Sequence, residues 1–264
     1  GFPLKSGEDR RLALANWLAS PQNPFFAKNM ANIVWGHFMG VGIVEPVDDV
    51  RISNPPSNPE LLEELGKRFA ASGYNFKKLV RDICVSRAYQ RSVQSTDSNK
   101  DDTKNFSKSS IRRVRAEVLL DIISQVTDTK NKFRGLPLGS SAVEIVDGGT
   151  STFFLTTFGR ATRTTVCSCE VALEPNLSQA LHLLNGDTVN SKCTQGGVVR
   201  NLIKEGKNPD EILDDIYLRC LARKPTDSEK VKLMTFFKEG RPEEEVLNDL
   251  FWAVLNSKEF IFNH

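Results

Sequence analysis

Asn-Pro pairs and capping boxes stand directly in front of apolar-periodic runs, and this punctuation commits most of the chain to helices. Asn23-Pro24 opens a run from Phe25 to about Phe38, Asn58-Pro59-Glu60 opens Leu61 to Ala71, and Asn208-Pro209-Asp210-Glu211 opens a third. Each places a side-chain acceptor at the N-cap and a proline where its missing N–H is harmless. The second and third add acid at the positive end of the helix dipole. Thr226-Asp227-Ser228-Glu229 has full capping-box spacing. Pro242 and three glutamates start a last long helix whose stripe is Val246, Leu247, Leu250, Phe251, Val254 and Leu255.

Periodicity predicts further helices over Arg10 to Ala19, Phe76 to Ala88, Ile111 to Val126, Leu177 to Leu184 and Val198 to Lys204. Alternation of period two is scarce. Val143 to Val146 and Thr152 to Thr157 are the only places for strands, so the expected class is all-α with at most a short β-hairpin near 143–157. Two stretches break the helical rhythm. Residues 91–108 are rich in Ser, Asp, Asn and Lys and read as an exposed polar linker or loop, and about 130–151 is rich in glycine and proline. The division expected is a helical lobe over 1–90, the polar segment 91–108, and a second helical lobe over 109–264.

Charge argues against a polyanion partner. The 35 basic and 33 acidic side chains leave a formal net charge of +2, so no global field recruits nucleic acid or an anionic membrane. The basic run Arg112-Arg113-Val114-Arg115 reads as a solvated helix face. The longest apolar stretch, Ile33 to Val44, contains His37 and three glycines and is well short of the roughly 20 residues that span a bilayer. No membrane span and no signal peptide are expected within these residues, and the start at Gly1 reads as a domain cut from a longer protein.

Five cysteines are too few for a disulfide scaffold, and Cys84 and Cys220 fall on apolar helix faces where cysteine acts as a small hydrophobe. Cys167-Ser168-Cys169-Glu170 is the first constellation with chemistry in it. Two thiols two residues apart can be structural or free, can close a strained disulfide, or can ligate a soft metal with Glu170 or Cys193 as a third ligand. Arg160 and Arg163 lie just upstream and would favour thiolate over thiol. Both guanidinium groups are also candidates for binding a ligand or partner.

The second constellation is Asp48-Asp49-Val50-Arg51, followed by Ser53-Asn54-Pro55-Pro56-Ser57-Asn58-Pro59. Paired carboxylates can bind a hard cation or act as acid and base. The plainer reading is that Asp49 and Arg51 pin a proline-stiffened loop, whose unpaired backbone groups need side-chain partners. Asn54 and His37 join the candidates for contact with a ligand or partner. The histidines His37, His182 and His264 are scattered, and no H-E-x-x-H, haem-attachment, Walker or nucleophile-elbow motif occurs. A covalently carried cofactor is therefore not expected, and a metal ion at the cysteines is the one cofactor proposed. Met39, a lone methionine among apolar neighbours, reads as core.

Taken in order, several runs resemble a known family. Ala31-Asn32-Ile33-Val34-Trp35-Gly36-His37-Phe38-Met39-Gly40-Val41-Gly42, Pro46-Val47-Asp48-Asp49 and Ser53-Asn54-Pro55-Pro56-Ser57-Asn58-Pro59-Glu60 carry the first part of the likeness. Phe158-Gly159-Arg160 through Cys167-Ser168-Cys169-Glu170, Glu174-Pro175-Asn176-Leu177 and Arg223-Lys224-Pro225-Thr226 carry the rest. Together they resemble the planctomycete C-terminal domain of unknown function numbered 1553, over nearly the whole chain. The resemblance implies the end of a large exported protein whose earlier parts include c-type cytochrome modules, and so an extracytoplasmic location. It implies no activity. The family tends to carry arginine where this chain has Ile33, Val41 and Val171, and proline where it has Ala161.

The leading expectation is a non-catalytic helical interaction module that docks onto upstream, cytochrome-type domains of the same polypeptide. The alternatives are a hydrolytic or polymer-processing enzyme using the Asp48 and Asp49 loop, and a metal or redox site at Cys167 and Cys169.

Overall fold

A computed structural model of the chain describes residues 7, 9–20, 22–165 and 170–263. Its regular structure is mostly helical, with one small two-stranded sheet, and it divides into two units, residues 1–111 and 112–263.

The first unit holds α1 (Arg10–Leu18), α2 (Phe26–Met39), α3 (Pro59–Ala71) and α4 (Phe76–Cys84). Buried residues of α2 recur as Ala27, Ala31, Val34, Trp35 and Met39, the spacing of one helical face. They meet Leu62, Leu65 and Phe69 of α3, and Leu79 and Ile83 of α4. Asn58 Oδ1 accepts from the Leu61 amide at 3.0 Å, so the cap read from the sequence is made. At Asn23 the outcome is different. Its Oδ1 accepts from the amides of Phe25 and Phe26, so the asparagine closes a turn ahead of α2.

The polar segment 91–108 belongs to this unit. Asp102 organises it, accepting from the amides of Lys104, Asn105 and Ser107 and from the Ser107 hydroxyl. That hydroxyl, with the amides, holds the carboxyl well below its ordinary range. Phe106 packs edge-on against Trp35 with ring centroids 5.1 Å apart, and Ser110 Oγ donates to Met39 O.

The second unit opens with β1 (Arg112–Arg113) and α5 (Ala116–Val126). Then follow α6 (Phe153–Thr157), α7 (Leu177–Asn185), α8 (Asp187–Gln195), α9 (Val198–Lys204), α10 (Pro209–Leu221) and α11 (Asp227–Met234). A 3-10 turn over Thr235–Glu239 leads to α12 (Glu243–Leu255), α13 (Lys258–Ile261) and β2 (Phe262–Asn263). Strand β1 pairs antiparallel with β2, Arg112 opposite Asn263, which ties the start of the unit to its end. Helix α12 runs through the core, with Leu247, Phe251 and Leu255 fully buried beside Ile212, Leu213 and Ile216 of α10. Among the described residues no helix is long and apolar enough to cross a membrane.

Three local expectations are corrected. Residues 142–144 form a 3-10 turn instead of a strand, because Ser141 and Glu144 make a reciprocal capping box. Residues 153–157 are helical because the Thr152 side chain accepts from the Leu155 amide. The basic run is not a solvated face: Arg112 and Arg113 form β1, and Arg113 is buried, donating to the carbonyls of Phe158, Ala172, Leu173 and Val114. Helix α8 gave no periodic signal, since only Val189 and Cys193 of its nine residues are buried.

Arg223 is wedged between two carboxylates. Its Nε and Nη2 reach Glu259 at 2.6 and 2.7 Å, and Nη1 and Nη2 reach Glu229 at 2.9 and 3.0 Å. This guanidinium, with the Thr226 cap, pulls the Glu229 carboxyl down to about 2. A depressed carboxylate stabilises the fold fully above its unfolded value, near 4.5, and that contribution is lost as pH falls toward 2. The melting temperature is therefore expected to fall between about pH 4.5 and 2, and Arg223→Gln to flatten that slope in a pH series of thermal melts.

Candidate functional site

The loop that follows α2 collects four of the residues singled out in the sequence. Gly40 ends the helix in the left-handed region, and the chain runs through a cis Glu45–Pro46 bond to the cap of α3 at Asn58. Side chains brace it throughout. Asn32, fully buried in α2, donates through Nδ2 to Val44 O at 2.9 Å and Val47 O at 3.1 Å, and its Oδ1 accepts from the Val44 amide at 2.9 Å. Glu45 Oε2 accepts from the Gly42 amide at 2.7 Å. Asn54 Nδ2 bridges Glu45 O and Asp49 O at 3.1 and 2.9 Å.

Asp49 and Arg51 form a two-pronged ion pair within the loop, Nε to Oδ1 at 2.6 Å and Nη2 to Oδ2 at 2.7 Å. Both carboxylate oxygens are taken, and the guanidinium holds the carboxyl below its usual range. Such a group is not poised as a general acid. Asp48 and His37 are exposed, with the His37 ring edge-on to Phe38 at 5.2 Å.

What the bracing presents to solvent is apolar. Ile52 is fully exposed at 103% and Val50 is 50% exposed, on either side of Arg51. A braced loop with an uncovered isoleucine loses little conformational entropy on docking and brings apolar area to a contact. Neither Asn32 nor Ile52 belongs to a sequence motif that names a chemistry. Asn32 did leave a signal, as the one amide inside the apolar stretch from Ala31 to Trp35.

In the second unit the arginines fare differently. Arg160 is buried, with its side chain 2% exposed. Nη1 donates to Thr150 O at 2.7 Å, and Nη2 donates to Asp147 O at 2.8 Å and Ile145 O at 3.2 Å. Its Nε lies 3.4 Å from Glu117 Oε1, close enough for an ion pair but off the line of a hydrogen bond. Arg160 thus holds the irregular 145–150 stretch onto α5 and is not presented to a ligand. Arg163 is exposed, has positive φ, and donates to Val146 O at 2.5 Å.

Gly159 explains why this region is so tightly turned. Its φ is +74° and a Cβ there would come within 2.3 Å of Ala172 O. Glu170 closes the loop from the other side, accepting from Thr164 Oγ1 at 2.9 Å and the Thr165 amide at 2.5 Å. Hydrogen bonding from the Thr165 side chain foremost, then from its amide and from Thr164, pulls the carboxyl down to about 2. Cys167 and Cys169 lie outside the described residues. Among the described residues no group of three or more His, Cys, Asp or Glu is placed to hold a metal ion. Cys193 and Cys220 are free thiols whose pKa burial pushes up to about 12.

No curated protein and no solved structure matches the chain. One family model does, over residues 10–237, which take in the braced loop, the Arg160 region and all but the last helices. The chain therefore belongs to the family described as PSD1, protein of unknown function (DUF1553).

Proposed function

We propose that this chain is a non-catalytic interaction module at the end of a large extracytoplasmic planctomycete protein, docking through its 40–58 loop onto upstream, c-type cytochrome domains. The observation that carries this reading is the division of labour within the loop. Asp49, Arg51 and Asn54, three of the four loop residues singled out for chemistry or ligand contact, are spent on internal bonds, and Asp48 is exposed. Val50 and Ile52 are left outside. An exposed aliphatic anchor on a preorganised support is how a binding loop differs from a catalytic one. The cytochrome partner and the extracytoplasmic location rest on the family likeness read from the sequence.

Ile52→Asp tests it. Because Ile52 touches no core, the melting temperature is expected to stay unchanged. Binding of the chain to the upstream region of its own polypeptide, followed by calorimetry, is expected to weaken at least about 10-fold. No binding of the unaltered chain at micromolar concentration, or equal binding by the variant, would overturn the proposal.

A further inference from the structure

The second unit holds a cavity of about 290 Å³ between α5, α6 and α8, with Lys192 on its wall. This lies at the small end of ligand pockets, roughly 300–1,000 Å³. The Lys192 ammonium is half-buried and donates to two neutral oxygens, Thr129 Oγ1 and Asn131 Oδ1, each at 2.9 Å. An ammonium has three N–H donors, and among the described residues no carboxylate lies within 4.0 Å of this one. Its site is built and not incidental. Thr129 is fixed by Ser124 O through its amide and by Thr127 Oγ1 through its hydroxyl. Gly196, at the end of α8, allows a close approach, for a Cβ there would meet Thr127 O at 1.5 Å.

The other wall is aromatic. Phe133 and Phe154 are buried, while Phe153 is 75% exposed at the cavity with its ring edge-on to His182 at 5.1 Å. The cavity shares Lys132, Phe133 and Thr152 with an adjoining hollow of about 680 Å³, which gives room for a ring beyond the lysine. The lining acid, Asp187, is five residues before Lys192 on α8, about 7.5 Å along the axis. It leaves the ammonium uncompensated at close range. Burial lowers the lysine's proton affinity, a penalty that a bound anion would relieve.

We propose that this cavity binds a small aromatic carboxylate, its carboxylate on Lys192 and its ring against the phenylalanine wall. Charge, hydrogen-bonding capacity and flat apolar surface converge there, and none of them depends on the docking loop of the first unit.

Sodium benzoate is the probe, titrated into the full chain by calorimetry, with benzyl alcohol and inorganic phosphate as controls. Benzoate is expected to bind with a Kd below roughly 1 mM. Lys192→Gln is expected to weaken it at least about 10-fold, and Phe153→Ala, at an exposed position that leaves folding intact, about 3-fold. Absence of benzoate binding at about 10 mM would overturn the proposal. So would equal binding of benzyl alcohol, which lacks the charge, or binding of phosphate alone. Should Lys192→Gln fail to fold, the benzyl alcohol comparison and Phe153→Ala still decide.

Discussion

Arg160→Met is expected to destabilise the second unit by about 3 kcal/mol, the low end for breaking a buried ion pair. The low end applies because the partner, Glu117, keeps 21% of its side chain exposed and can be rehydrated. Three carbonyls, of Ile145, Asp147 and Thr150, lose their donor at the same time. Thermal unfolding monitored by calorimetry should show the second unit's transition lowered by about 6–12 °C. Arg160→Lys should recover little, because an ammonium on a linear stem cannot reach three divergent carbonyls as a planar fork does. Arg163→Ala, at an exposed residue with one bond to Val146 O, should stay within about 0.5 kcal/mol and serves as the control. A silent Arg160→Met would mean that the 145–150 stretch is held by something other than this guanidinium.

Asn32→Leu should destabilise the first unit by about 2–4 kcal/mol, since a side chain of the same branched shape but without polar atoms removes three hydrogen bonds from backbone groups of Val44 and Val47. It should also loosen the loop and so weaken docking even where the helices remain folded, which separates it from Ile52→Asp. Asn32→Asp adds a signature in pH. The substituted carboxyl can still accept from the Val44 amide, but when ionised it faces two carbonyl oxygens. Burial and those carbonyls raise its folded pKa above the unfolded value of about 3.9. Its deficit relative to the unaltered chain is then smallest below about pH 4 and grows as pH rises through the folded value. Paired chemical-denaturation curves across that range measure it. A deficit independent of pH would show that position 32 does not bond the loop as described.

The helices were largely legible because their determinants are local. Asn58, Asn208 and Thr226 cap in the structure as their spacing foretells, and the Val246 to Leu255 stripe is buried throughout. Where the reading failed, the decisive contact came from elsewhere in the chain or from a cap on an unpromising run. The Arg112 to Arg115 stretch looks soluble by composition, yet β2 pairs with Arg112 and Arg113, and Phe158, Ala172 and Leu173 supply carbonyls for Arg113. Helix α8 has an unremarkable sequence, and its fold is set by Val189 and Cys193 packing into a core assembled from distant helices.

For the candidate sites the split is sharper. The sequence marked the Asp48 to Asn54 loop and the Arg160 to Glu170 stretch as places where polar side chains gather, and it raised the pinned-loop reading of Asp49 and Arg51 that their ion pair now details. It had no means of saying which way a side chain faces. Arg160 and Arg163 are three residues apart in one run, yet one is buried against α5 and the other is exposed, with the backbone at Arg163 itself in the left-handed region. Lys192 acquired its place only when residues about sixty positions earlier folded against α8. Caps and periodic faces are short-range energies, written within a few neighbouring residues. Burial of a charge and the partners that make it tolerable are long-range, and only the packed chain decides them.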